Sequence, residues 1–181
     1  KRINDTLHDL TGAYDVFDLN KTILNHNLYG VDLNAESVEI TRLSLWLKTA
    51  ERGKPLANLD HAIRCGNSVV ADSGVDKHAF DWQANFPQVF ADGGFDVLLG
   101  NPPYVRMELL KPIKPYLEKH YAVASDRADL YAYFFELGLK LLKPEGKLGY
   151  ISSSTFFRTG SGERLRQHLR TQARLETIVD F

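Results

Sequence analysis

The segment Asn101-Pro102-Pro103-Tyr104 contains residue types that could act on an amino group attached to an aromatic ring. The lone pair of such a nitrogen is delocalised into the ring, so it is a poor nucleophile until its geometry becomes more tetrahedral. Two acceptors that receive its two N–H bonds favour that geometry, and the Asn101 side-chain oxygen and the Pro102 carbonyl can supply both. Pro103 keeps the residue before it extended and so fixes the direction of that carbonyl. The spacing therefore predicts a preorganised site for an amino group that attacks a methyl group.

Tyr104 adds an aromatic face to this segment. A base extracted from a duplex can stack on such a face, and stacking is worth about 1–3 kcal/mol per base. The alternative is a turn after a strand, because Asn-Pro-Pro ends a strand well and tyrosine is an ordinary core residue. An apolar stretch, 95–100, runs directly into the four residues and favours the functional interpretation.

Two further polar residues follow short apolar runs. Asp32 stands where open α/β sheets place an acid that accepts hydrogen bonds from a ribose diol. It could instead cap the helix that begins near Ala35, a role that Asn34 could fill equally well. Asn67 could bind the edge of a base through its amide or could hold a turn, and on its own it favours the turn.

Other candidates have weaker patterns. Phe134 and Phe135 could pack on the adenine ring of a cofactor, although aromatic residues at helical spacing more often belong to a core. Five arginines near the end of the chain could contact phosphates or form a solvated helix face. They are Arg158, Arg164, Arg166, Arg170 and Arg174. The six histidines lack the spacing of a metal site or a catalytic triad, so we predict neither.

The composition restricts the class of protein. A length of 181 residues with 44% hydrophobic and 25% charged positions is typical of one globular core. The net charge of -1 excludes nucleic acid binding by bulk charge alone and leaves room for a local basic face. The single cysteine, Cys65, excludes an internal disulfide and fits a reducing cytoplasm. No run of 18 apolar residues occurs, so we predict no membrane span.

The elements that must position the candidates alternate between strand and helix. Strands are predicted at 28–32, 62–66, 95–100 and 147–152, and a further one begins at 175. The segment 71–94 is polar with scattered aromatic residues and is predicted to be a loop or an excursion at the edge of the sheet. Strands separated by helices predict a Rossmann-like α/β fold over 1–181, with a mostly parallel sheet flanked by helices. Ligands bind at the carboxyl ends of such strands, where Asp32, Asn67 and Asn101 lie.

The helices are predicted from their apolar periodicity. The helix from Ala35 would bury Ile40, Leu43, Leu47 and Ala50 on one face. The helix from Asp129 would end at 144–146 and bury one face, formed by Leu130, Phe134, Leu137 and Leu141. A last short helix follows the Gly/Ser loop 159–162, and its Leu165 and Leu169 are predicted to face inward.

Four ordered blocks carry a resemblance to a known family. They are NLYGVDLNAESVEITRLSLWLKTA, IRCGNSVV, GGFDVLLGNPPYV and DLYAYFFELGLKLLKPEGKLGYISSSTFF. Together they resemble the methyltransferase region of type IIG restriction-modification enzymes, which are S-adenosylmethionine-dependent, adenine-specific DNA methyltransferases. The resemblance spans nearly the whole chain, and four blocks in order are far more specific than the tetrapeptide alone.

The resemblance implies roles for individual residues. Asp32 would bind the ribose hydroxyls of S-adenosylmethionine, with Leu33 against the cofactor adenine and Asn67 at its edge. Many relatives carry Asp at the last of these positions, and Asn still accepts a hydrogen bond there but brings no charge. Phe134 matches the aromatic residue that packs on the cofactor adenine. The catalytic loop would be Asn101, Pro102, Pro103 and Tyr104, acting on an adenine flipped out of DNA.

The resemblance also implies what surrounds this region. The glycine-containing cofactor loop that opens the fold and the second aromatic residue of the target pocket are expected outside the chain, so we expect a partial catalytic domain, incomplete at both ends. DNA is the expected partner, and target-recognition and nuclease domains are expected to be fused or associated. One alternative is a methyltransferase acting on a protein glutamine amide, against which the flanking blocks argue. A second is a non-catalytic module that binds DNA or a partner.

Overall fold

The computed structural model describes residues 16–50, 58–105 and 110–180. The chain divides into two compact units, Lys1–Asn67 and Ser68–Phe181, each of which is described separately below. The fold is α/β, with parallel strand pairs and flanking helices, as the sequence predicts.

The first unit contains a strand-helix-strand arrangement. Helix α1 (Val16–His26) precedes strand β1 (Gly30–Asp32), helix α2 (Ala35–Thr49) and strand β2 (Ile63–Cys65). The two strands pair in parallel, with Gly30 opposite Ile63 and Asp32 opposite Cys65. A parallel pair requires a crossover connection, which α2 supplies. The predicted strands 28–32 and 62–66 are confirmed with slightly shorter bounds.

The buried face of α2 differs from the prediction. The core of the first unit consists of Leu24, Val38, Leu59 and Ile63, with Leu45 and Trp46 packed against it. Ile40, Leu43 and Leu47 are 64%, 53% and 72% exposed, so the predicted face was wrong. Helix α2 carries apolar residues on two sides, and the side that reaches the strands contains Val38, Leu45 and Trp46.

The second unit contains the other strand pair and most of the helices. Its regular elements are helices α3 (Trp82–Asn85), α4 (Pro87–Ala91), α5 (Lys114–His120), α6 (Leu130–Leu141) and α7 (Glu163–Gln172), and strands β3 (Phe95–Gly100) and β4 (Leu142–Tyr150). Two short 3-10 helices, Ser154–Phe157 and Gly160–Gly162, precede α7. The segment 71–94 therefore contains two short helices, which the prediction of a loop missed.

Strands β3 and β4 pair in parallel, and β3 has the predicted bounds. Strand β4 begins at Leu142, earlier than the predicted 147, because Leu142 already pairs with Phe95. The next pairing joins Val97 to Lys147, so the residues between 142 and 147 form an irregularity within the strand. Its Glu145 has a φ of 65°, a left-handed conformation. The helix predicted to end at 144–146 thus ends at Leu141, and residues 144–146 lie in the irregular part of the strand.

A large hydrophobic cluster supports this strand pair. It includes Tyr131, Ala132 and Tyr133 of α6, Phe156, and the two leucines of α7, Leu165 and Leu169, which confirms their inward orientation. Residues 173–180 form no regular structure, so the strand predicted from 175 is not observed in its described part, and Phe181 lies outside the described residues. No helix within residues 16–50, 58–105 or 110–180 has the length and apolar character that a membrane span needs.

Candidate active site

The Asn101–Tyr104 loop begins where β3 ends. The Gly100 carbonyl accepts a hydrogen bond from the Ile151 amide at 3.1 Å, which holds the start of the loop to the residue after β4. Pro102 is buried, whereas Asn101 and Pro103 are exposed. The loop thus has a fixed base and presents its polar end to solvent.

The two predicted acceptors, the Asn101 side-chain oxygen and the Pro102 carbonyl, receive no hydrogen bond from the described residues. Water can satisfy the side chain of Asn101, because this residue is exposed. Asn101 and Pro102 can therefore accept hydrogen bonds from an incoming amino group without breaking a bond within the protein.

Tyr104 is held at one end and exposed at its ring. Its hydroxyl donates a hydrogen bond to the Ile151 carbonyl at 3.3 Å, and the residue is 55% exposed. The ring lies 6.2 Å from the ring of Tyr131 at an angle of 60°. One further bond, from the Leu130 amide to the Val105 carbonyl at 2.9 Å, joins the loop to the start of α6. The aromatic face is therefore both accessible and anchored.

An open cavity of about 330 Å³ lies beside this ring. Its walls are formed by Tyr104, Asp129, Tyr131 and Ser153. Burial, and then the nearby Asp129 carboxylate, raise the pKa of Tyr131, so this hydroxyl stays neutral at physiological pH. At its N-cap position, Asp129 makes no capping hydrogen bond to the amides of α6.

Sequence reasoning did not assign Asp129, Tyr131 or Ser153 to a site. Asp129 was recognised only as the start of a helix, and Ser153 follows a strand. These residues come from segments that are distant in sequence from Tyr104, and nothing in their own spacing indicates a shared cavity.

The polar residues of the first unit lie at the carboxyl ends of β1 and β2. Asp32 is exposed, and its Oδ1 accepts a hydrogen bond from the Asn34 amide at 2.7 Å. The Asn34 side chain caps α2 by accepting from the Ser37 amide at 3.0 Å. The capping role therefore belongs to Asn34, which leaves the second oxygen of Asp32 available at the end of the strand.

Leu33 and Asn67 lie at the same end of this strand pair. Leu33 is 57% exposed, and its carbonyl is 3.4 Å from the Cys65 thiol. The Gly66 amide donates to the Asp32 carbonyl at 2.9 Å, and the next residue is the half-buried Asn67. The structure thus brings together Asp32, Leu33 and Asn67, as the fold prediction required.

Phe134 lies on α6 in the second unit. Its half-buried ring packs against the hydrophobic cluster of that unit, and its carbonyl accepts from the Tyr150 hydroxyl at 3.3 Å. A role in the core thus accounts for part of this ring, and its contact with a cofactor remains a prediction. No group of metal-ligating side chains occurs among the residues that the structure describes.

The fold and the loop define a class: an α/β protein with an Asn-Pro-Pro-Tyr loop at the carboxyl end of a parallel strand, typical of a methyltransferase region. Residues 26–181 match the Eco57I restriction-modification methylase family, and the chain belongs to that family. This finding confirms the resemblance seen in the sequence.

Individual relatives agree with this assignment. The chain is 31% identical to the type II restriction enzyme and methyltransferase RM.Eco57I of Escherichia coli over 178 residues, which are 91% of this chain and 18% of that protein. It is 43% identical to the type II methyltransferase M.BstVI of Geobacillus stearothermophilus over 89 residues, which are 48% of this chain and 16% of that protein. The chain thus spans less than a fifth of the length of these relatives.

Proposed function

We propose that the protein to which this chain belongs transfers a methyl group from S-adenosylmethionine to the N6 amino group of adenine in DNA. The observation that carries the proposal is the Asn101–Tyr104 loop, whose two acceptors have no donor among the residues that the structure describes and whose aromatic face is exposed beside a cavity. Membership of a restriction-modification methylase family supports the same assignment.

The residues of the loop account for the chemistry at the amino group. Asn101 Oδ1 and the Pro102 carbonyl accept the two N–H bonds and draw the nitrogen toward a tetrahedral geometry, so that its lone pair can form the new N–C bond. Tyr104 holds the extruded base by stacking. S-adenosylmethionine would supply an electrophilic methyl group when bound, and its sulfur would keep the electron pair of the broken S–C bond and leave as a neutral thioether. The proton displaced from the nitrogen leaves to water.

The first unit contains residues that fit this cofactor. Asp32 is an exposed carboxylate that uses only Oδ1 in the hydrogen bond from the Asn34 amide, so its other oxygen is suited to accept from a ribose diol. Leu33 offers an exposed apolar surface to the adenine, and Asn67 an amide to its edge. In this proposal Phe134 packs on the same adenine.

The wider assignment follows the relatives. RM.Eco57I is named as both a restriction enzyme and a methyltransferase. We propose by analogy that this region acts with target-recognition and nuclease domains, fused or associated, and that it protects DNA in the cytoplasm.

The test is transfer of a labelled methyl group from S-adenosylmethionine to DNA by the full-length protein, followed by digestion to nucleosides. We expect labelled N6-methyldeoxyadenosine from the wild type and a rate at least roughly 10²-fold lower from Asn101→Ala, as for loss of a preorganised polar group at a reacting centre. Asn58→Ala is the matched control, because Asn58 is an exposed asparagine that accepts only from a nearby backbone amide in a turn.

The outcomes separate the candidate functions. Label in a protein glutamine and none in DNA would establish the alternative substrate. No label in either would favour a non-catalytic module, and an unchanged rate in Asn101→Ala would show that the loop is structural.

A further inference from the structure

A polar segment of the chain begins at the cavity beside Tyr104. Ser153 forms one wall of that cavity, and the 3-10 helix Ser154–Phe157 follows it directly. The ring centre of Phe156 in this helix lies 6.1 Å from the ring centre of Tyr131, which also lines the cavity. Because a 3-10 helix rises about 2 Å per residue, Arg158 stands within about 10 Å of Ser153 along the chain.

The composition of this segment is unusual for the chain. Residues 153–162 contain five hydroxyl side chains and one arginine, and no acidic residue. The longer stretch 153–175 contains five arginines and one glutamate, whereas the whole chain has a net charge of -1. Positive charge is therefore concentrated in the part of the chain that follows Ser153, and an excess of positive charge creates an attractive local potential for an anion.

Internal bonds hold the segment in a defined shape. Arg166 donates to the carbonyls of Phe156 and Thr159, the second at 2.8 Å. The Ser153 hydroxyl accepts from the Thr155 amide at 3.2 Å. A Cβ atom at Gly162 would overlap the backbone of Phe156, so the two short helices pack closely. The surface is thus preorganised, which reduces the entropy lost on binding.

Arg158 differs from Arg166 in having no role in this framework. Its side chain is exposed and forms no hydrogen bond or ion pair with the described residues. Ser154 and Thr155, which precede it, are also exposed. A guanidinium with neighbouring hydroxyls matches the donors that proteins use on phosphate oxygens.

We propose that Arg158, with Ser154 and Thr155, binds the DNA phosphate beside the nucleotide whose base enters the cavity at Tyr104. A base in that cavity must leave its sugar and phosphate outside it, and the segment begins at Ser153, which lines the cavity. The contact would hold the backbone in its extruded form without reading the sequence. This inference rests on the proposed function, because it takes DNA as the substrate.

The first test measures binding of DNA duplexes to the full-length protein at increasing salt, by fluorescence anisotropy. Loss of one phosphate contact lowers the slope of log K against log salt by about 0.9. We expect Arg158→Ala to show this decrease together with a roughly tenfold weaker Kd, as for loss of a hydrogen bond to a charged group. Arg170→Ala, which removes an exposed arginine from the last turn of α7, should leave the slope unchanged. Equal slopes in all three proteins, or equal losses in both variants, would overturn the proposal.

The second test places a neutral methylphosphonate beside the target adenine, at the site identified by sequencing of methylated DNA. Neutralising this phosphate should weaken binding to the wild type about tenfold and have little effect on Arg158→Ala, because the contact is already absent. Arg158→Lys should restore part of the sensitivity. Additive effects of variant and methylphosphonate would show that Arg158 does not contact this phosphate.

The two proposals fail in different ways. If the wild type methylates no DNA, the proposed function fails, while the salt slope on a duplex of arbitrary sequence still decides whether Arg158 binds phosphate. If methylation occurs and Arg158→Ala keeps the wild-type slope, only the phosphate contact is wrong.

Discussion

The two units end a strand in different ways. After β1, the polar residues are used in part by the protein itself, since one oxygen of Asp32 accepts from the Asn34 amide and the Asn34 side chain caps α2. After β3, two prolines replace the helix cap, and the acceptors of Asn101 and Pro102 have no donor among the described residues. A segment that stabilises a helix has few acceptors left, whereas a proline-fixed loop keeps its acceptors for a substrate.

The hydrophobic cores on which these two strand ends pack also differ in size. In the described residues, the first unit has a core of four buried side chains and leaves three large apolar residues of α2 exposed. The second unit has a continuous cluster of thirteen buried residues behind the loop. The loop that must hold a precise geometry therefore stands on the larger core, as expected for a preorganised site.

The largest effect on stability is expected from a substitution that removes a buried carboxylate from the second unit. Glu136 is 2% exposed and accepts from the Ala122 and Val123 amides at 3.1 and 2.9 Å, and from Lys140 at 2.7 Å. Glu136→Ala leaves the buried Val123 amide and the part-buried Ala122 amide without this acceptor and should lower the free energy of unfolding by about 3 kcal/mol, measured by urea denaturation. Glu118→Ala, which removes an exposed carboxylate, should change it little. A similar loss of unfolding free energy in both variants would show that the buried hydrogen bonds of Glu136 contribute no more than an exposed ion pair.

The same carboxylate predicts a pH dependence. Burial alone would raise the pKa of Glu136, but the hydrogen bonds from Lys140, Val123 and Ala122 outweigh burial and hold this pKa below its ordinary value of 4.5. A lowered pKa in the folded state means that the stabilisation is fully present above the ordinary pKa and is lost as the pH falls through the lowered one. The unfolding free energy of the wild type should decrease below about pH 4.5. Glu136→Gln should decrease less steeply; an identical pH profile would contradict the assignment.

The sequence predicted those elements whose pattern has one interpretation. Strand β3 is a pure apolar run closed by two prolines, and its bounds were predicted correctly. Helix α2 was predicted, but its buried face was wrong because apolar residues lie on both sides and periodicity does not tell which side meets the strands. The early start of β4 depends on pairing between Leu142 and Phe95, a long-range contact that overrides the turn signal at 144–146.

The candidate site shows the same limit. Asn101, Pro102 and Tyr104 lie within four consecutive residues, so the spacing alone predicts a shared role. The cavity also needs Tyr131 and Ser153, which reach Tyr104 only through the packing of α6 and the end of β4. Whether Asp32 or Asn34 caps α2 was equally open in the sequence, because both residue types cap helices, and backbone geometry decided for Asn34.

An intermediate effect is expected from the exposed ring of the loop. Tyr104→Ala removes the stacking surface and should weaken retention of the extruded base by about 1–3 kcal/mol. Fluorescence of 2-aminopurine at the target position, with the full-length protein, measures this extrusion. Tyr104→Phe is the matched control: it keeps the ring, loses only the bond to the Ile151 carbonyl and should retain most of the signal. Undiminished extrusion in Tyr104→Ala would show that another group holds the base.

The smallest effect is expected at the cap of α2. Asn34→Ala removes the acceptor for the Ser37 amide and should lower the free energy of unfolding by about 1 kcal/mol, measured by urea denaturation of the chain. Asn34→Ser, which restores a capping oxygen, should recover most of this loss. Because the Asn34 side chain only caps a helix within the first unit, the methylation rate of Asn34→Ala at saturating S-adenosylmethionine and DNA should remain close to wild type. The rate of Asn101→Ala should not. If the methylation rate falls as far in Asn34→Ala as in Asn101→Ala, the proposed difference is wrong, namely that Asn34 acts only in structure and Asn101 in catalysis.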